Sequence, residues 1–171
     1  MSLNQLLAQR KTAILKAWFT STIETYPSDT AKFLKSQKDP FANPVGRTIN
    51  HGLEELLDEL LKEMDPKIMQ PLLDSIIRIR AIQNFSPSQA TSFIFSLKDV
   101  VRETLKKEDT ESKHFKELLL FESKIDELGM MAFDIYMKCR EKIYELKANE
   151  MKNRTFKAFK RAGLVREMPA E

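Results

Sequence analysis

No proline stands between Pro87 and Pro169. Proline inside a helix costs about 3 kcal/mol, so a proline-free stretch of this length is open to one very long helix. Within it Leu118, Ile125, Leu128, Ala132, Ile135, Cys139, Ile143 and Leu146 return at three-, four- or seven-residue steps, the spacing of a single helix face. The pattern predicts a final helix of about 40 residues, about 60 Å long. Gly129 is its weak point, and a break, if there is one, is expected between Glu122 and Gly129. Such a rod outruns a domain of this length. Its C-terminal part is expected to project from the body or to pack on a second chain.

The other prolines mark joints. Helix one is predicted from Leu3 to Thr25, with Leu15, Trp18, Phe19, Ile23 and Tyr26 on one face and Tyr26-Pro27 as its end. Residues 27–45 read as a connection with a helical turn near Thr30–Lys35, pinned by Phe33, Phe41 and Val45. Helix two is predicted from Gly46 to Met64, and helix three from an Asp65 cap to Gln83. Ser86-Pro87-Ser88-Gln89 has the form of a capping box and starts helix four, which runs to Lys107. Lys106–Lys113 reads as a polar link. No alternating strand pattern or hairpin dipeptide occurs, so the expected class is all-α: a helical bundle with a long C-terminal helix.

Composition removes most chemistries. One cysteine excludes a disulfide framework and a cysteine zinc cluster. Four glycines leave no glycine-rich phosphate loop. Glu111-x-x-His114 has the spacing of a di-iron ligand pair but lacks a second such pair, and His51 with Glu54 and Glu55 is equally isolated. Cys139 lies on the apolar stripe with no histidine in helical register. No metal, no haem or other cofactor and no enzymatic activity is expected. The N-terminal sequence has no secretory pattern, and no stretch approaches the ~20 apolar residues that cross a bilayer. A cytoplasmic location is the expectation.

The formal net charge of +3 is unevenly placed. From Lys138 to Ala162 nine Lys/Arg face three Glu, which gives 9 − 3 = +6 and leaves −3 for the rest. The last helix is therefore basic and the body slightly acidic. Lys152, Arg154, Lys157, Lys160 and Arg161 form a candidate partner surface, and Phe156 and Phe159 beside them also suit a membrane surface or a nucleic acid. In the body, Arg78 and Arg80 interrupt an apolar helix. Either they pair internally, or one of them meets an anionic ligand or partner. Trp18, Phe85, Phe93 and Phe133, with Arg80, Gln83 and Gln89, would form a small-molecule pocket; the same residues also describe an ordinary core.

The phrases FANPVGRTINHGLEELLDEL, IRIRAIQNFSPSQATSFIFSLKDVVRE and AFDIYMKCREKIYELKANEMKNRT resemble the N-terminal sensor domain of the RsbR-type co-antagonists of bacterial stressosomes, and above all the stand-alone RsbRD N-terminal domain proteins. The resemblance covers about residues 3–160. It implies a non-haem, globin-like fold, a homodimer joined through the last helices, and a sensory or regulatory role in stress signalling. In the full-length co-antagonists a long helix leads into a STAS domain. This sequence carries none, so its regulatory protein partner is unknown. The implied organisation is a sensor domain over residues 1–146 and a basic helical extension over 147–171. Leu128, Ala132, Ile135, Cys139, Ile143 and Leu146 would be the dimer and signalling line.

Overall fold

The computed structural model describes residues 1–83, 85–107 and 113–165. Seven helices and no strand occur among them: α1 (Leu3–Gln9), α2 (Lys11–Ile23), α3 (Ser28–Ser36), α4 (Pro44–Leu60), α5 (Pro66–Ile82), α6 (Pro87–Lys107) and α7 (Phe115–Arg161). The all-α bundle with a long final helix is thus as expected. The chain divides into two units, Met1–Met137 and Lys138–Glu171.

In the first unit α2 packs on α6 and α4, and α4 packs on α5. The apolar stripes explain these pairings. Ile49, Leu53, Leu56, Leu57 and Leu60 of α4 are fully buried, as are Leu73, Ile76 and Ile77 of α5 and Ile94, Leu97, Val101 and Leu105 of α6. Gly52 is the close-approach point of α4 and α5, because a Cβ there would stand 2.8 Å from Ile76 Cδ1. From α7 the unit buries Leu118, Phe121, Ile125, Leu128, Ala132 and Ile135, steps of three and four residues that keep one helix face turned inward, with Tyr136 beside the last.

Helix ends follow the local chemistry closely. Ser86 Oγ accepts from the Gln89 amide (3.3 Å) while Gln89 Oε1 accepts from the Ser86 amide (3.0 Å), which completes the expected capping box. Asp65 caps α5 by accepting from the Lys67 amide. Gly163, at φ +67°, closes α7. The Gly163 amide donates to the Lys160 carbonyl and the Leu164 amide to the Phe159 carbonyl, a Schellman arrangement that favours glycine.

Four expectations change. The first helix is divided at Arg10, whose amide is shared between the Leu6 and Leu7 carbonyls (3.1 Å each). Helix two begins at Pro44, earlier than its apolar stripe suggests, because Asn43 caps it. Asn43 Oδ1 accepts from the Gly46 amide (2.9 Å), and Nδ2 donates to the Leu34 and Gln37 carbonyls (3.0 Å each), so one buried amide also ties the end of α3 to the start of α4. Phe41 pins nothing: it is 92% exposed, and Ala31 and Leu34 are the residues that α3 buries. The long helix does not break at Gly129. There the missing side chain makes room for the Phe95 ring, which a Cβ would meet at 2.3 Å.

Glu111, the first residue of the candidate metal pair, lies outside the described residues. His114 is buried, and its Nδ1 lies 3.3 Å from Glu117 Oε1. Glu117 also accepts from the Leu3 amide, which ties the start of α7 to α1 and, with the histidine, holds this carboxyl below the usual carboxylate range.

Candidate functional site: a buried arginine and an exposed helix

The two neighbouring arginines of α5 part company. Arg78 is exposed and bonds Asp74 at i−4 through Nε (3.1 Å) and Nη2 (2.8 Å). Arg80 is fully buried. Its guanidinium carbon lies 4.4 Å from the Phe85 ring centroid and 5.2 Å from those of Tyr26 and Phe93. Tyr26 and Phe85 meet edge to face at 5.0 Å. Aromatic faces attract a cation, so the three rings replace part of the hydration that burial removes.

They do not replace all of it. Nη2 donates to Thr25 Oγ1 (2.7 Å) and to the Gln89 carbonyl (2.9 Å), while Nε and Nη1 have no hydrogen-bond partner. The Tyr26 hydroxyl is also buried without one. Burial lowers the Arg80 pKa, opposed by the facing Tyr26 phenol; burial likewise raises the Tyr26 pKa, opposed by Arg80. Arginine keeps its proton in proteins, so the nest holds a cation, and no carboxylate pairs with it among the described residues.

Of the residues expected in a pocket, Arg80, Phe85 and Phe93 come together with the main chain of Gln89. Trp18 is fully buried, and its Nε1 donates to the Phe93 carbonyl (2.6 Å). The Gln83 and Gln89 side chains are exposed, as is Phe133. Sequence reading missed Thr25 and Tyr26. Both sit at the Tyr26-Pro27 helix end, where the visible signal was the end of a helix and not a binding role. The Tyr136 hydroxyl of α7 donates to the Phe85 carbonyl, so the nest is attached to the long helix within the first unit.

The second unit is the continuation of α7. None of its residues from Lys138 to Leu164 is buried. On the expected dimer line, Leu128, Ala132 and Ile135 are buried inside the first unit, Cys139 and Ile143 are half-buried, and Leu146 is exposed. A different line is open along its whole length. Tyr144, Ala148, Met151, Thr155, Ala158 and Ala162 alternate steps of four and three and are all exposed, Tyr144 at 57% and Met151 at 70%. This is the a/d spacing of a two-helix seam. Arg140, Lys147, Arg154 and Arg161 repeat at sevens beside it. On its other flank, seven apart again, stand Lys138, Glu145, Lys152 and Phe159. The expected partner-surface residues Lys152, Arg154, Lys157, Lys160 and Arg161 are all exposed.

Among the described residues no group of three or more His, Cys, Asp or Glu could hold a metal ion, and no helix is long and apolar enough to cross a membrane. The model of the family described as RsbT co-antagonist protein rsbRD N-terminal domain matches residues 12–151. A protein of Archaeoglobus fulgidus, described as uncharacterized, is 32% identical over 107 residues, which are 60% of this chain. The chain spans 66% of that relative's length. No solved structure matches the chain.

Proposed function

The chain belongs to the RsbT co-antagonist protein rsbRD N-terminal domain family, and from that premise we propose that it is a non-enzymatic sensory domain that signals through paired α7 helices. Residues 1–146 are the non-haem, globin-like body, and residues 147–171 are its output segment toward a regulatory protein partner. The observation that carries this reading is the exposed a/d line of the second unit. Apolar and small residues at heptad spacing on an otherwise solvated helix fit a second copy of the same helix. Alanines at three of the six positions make the seam thin, which suits a pair whose arrangement has to change.

The mechanism is a population shift. The Arg80 nest and α7 are directly linked, Tyr136 to Phe85. A change at the nest that moves Phe85 pulls on α7, and the paired helices take up a different alignment. The energy needed is small, since moving an equilibrium tenfold takes about 1.4 kcal/mol.

The flanking charges make the pairing testable. In a parallel pair each flank residue faces the residue five positions on in the partner. Arg140 then meets Glu145, Arg154 meets Phe159, and Lys147 meets Lys152. The last contact is repulsive. Lys152→Glu is expected to tighten the dimer about tenfold at low salt, and raising the salt should shrink that gain. Sedimentation equilibrium of the two proteins at two salt concentrations measures it. An unchanged or weakened association rejects the parallel seam.

A second reading has its own support. Phe156 and Phe159 are exposed among Lys152, Arg154, Lys157, Lys160 and Arg161, as on a helix that lies on an anionic membrane or tracks a nucleic acid. Vesicle or DNA binding that falls steeply with salt would favour it over pairing.

A further inference from the structure

We propose that the Arg80 nest is a binding site for a small organic carboxylate. The inference rests on the nest alone and stands or falls separately from the role given to α7. A fully buried guanidinium normally has a carboxylate beside it, because a buried charge without a partner is strongly unfavourable. Here no carboxylate stands beside it among the described residues. The rings of Tyr26, Phe85 and Phe93 surround the cation, Nε and Nη1 have no acceptor, and the Tyr26 hydroxyl has no partner either. Two unsatisfied cationic donor groups and one hydroxyl, enclosed by aromatic faces, match a singly charged carboxylate with an apolar remainder. Its oxygens take the open N–H groups, where charge-assisted bonds are short and strong. The remainder lies against the rings.

Phe85 is the cover of the nest. It is half-buried, and its ring is the one nearest the guanidinium. Its main chain is held by the Tyr136 hydroxyl, so the side chain can turn aside while the connection stays in place. Entry of the ligand therefore displaces the Phe85 side chain.

Thermal melts of the full chain test the site, with acetate, propionate and benzoate as probes at constant ionic strength, and nitrate and sulfate as inorganic oxyanion controls. At least one carboxylate is expected to raise Tm saturably, by roughly 5–10 °C at a hundredfold excess over its Kd. Arg80→Met is expected to abolish the shift. It should fold, because Thr25 Oγ1 still donates to the Thr22 carbonyl and the Gln89 carbonyl still accepts from Ser92 Oγ. Tyr26→Phe, a gentler change, is expected to weaken binding about fivefold and keeps the test decisive if Arg80→Met fails to fold. A Tm that no carboxylate moves, an equal shift with nitrate or sulfate, or a shift that both variants retain overturns the proposal.

Discussion

Trp18→Ala is expected to destabilise the body by about 3–5 kcal/mol, enough to unfold a domain of marginal stability. Trp18 is fully buried, so the truncation leaves a cavity the size of an indole ring. The lost hydrogen bond to the Phe93 carbonyl adds little, because that oxygen also accepts from Ser96 Oγ (2.7 Å) and is not left unpaired. The cost is therefore almost entirely packing. Trp18→Phe separates the two contributions, since it keeps most of the volume and removes only the N–H. It is expected to cost about 1–2 kcal/mol. Urea unfolding of the three proteins checks this: a Trp18→Ala midpoint close to that of the parent would mean the α2–α6 contact is not the core of the body.

The second large effect is expected on the surface. Met151→Glu together with Tyr144→Glu places four carboxylates along a two-helix seam, two from each chain. Like charges brought together there, with the loss of both larger apolar seam residues, should weaken self-association by at least a hundredfold. Folding of the first unit should not change, because both positions are exposed in the single chain. Leu146→Glu is the matched control. Leu146 is equally exposed but lies off the seam, so its effect on association should be small. A Leu146 effect as large as the double substitution would move the contact to the other side of α7.

That contrast shows where the sequence stopped being informative. Both lines of α7 obey three- and four-residue spacing. Leu128, Ala132 and Ile135 continue into Cys139, Ile143 and Leu146 with no change of period, so the sequence alone reads them as one interface. Burial separates them: the first three are already covered by their own chain. The Tyr144–Ala162 line is poorer in large side chains, and its alanines and threonine gave it little weight as a pattern. Capping, in contrast, was legible to the residue at two helix starts, though not at Asn43. Ser86 and Gln89, and Asp65 before Pro66, carry side-chain chemistry that acts within three positions. The Arg80 nest was half legible. The odd charge in an apolar run identified the residue, and Phe85 and Phe93 are two of the three rings around it. Tyr26 and Thr25 come from a helix end 54 and 55 positions away, a long-range approach that no local spacing reports.

Cys139 is the only cysteine in the chain, and it lies on α7 just beyond the first unit. A nitroxide attached there lets pulsed electron-spin resonance read the separation of two α7 helices directly in the unaltered sequence. Cys139 shares the outward face of Leu146, two turns earlier, so parallel packing at the ~8–10 Å interaxial distance of paired helices should give one narrow distance between labels, well beyond that spacing because both point away from the seam, lost in Tyr144→Glu/Met151→Glu. A broad distribution, or no dipolar coupling at concentrations where the body is folded, would show that α7 does not pair with α7 and would contradict the signalling account.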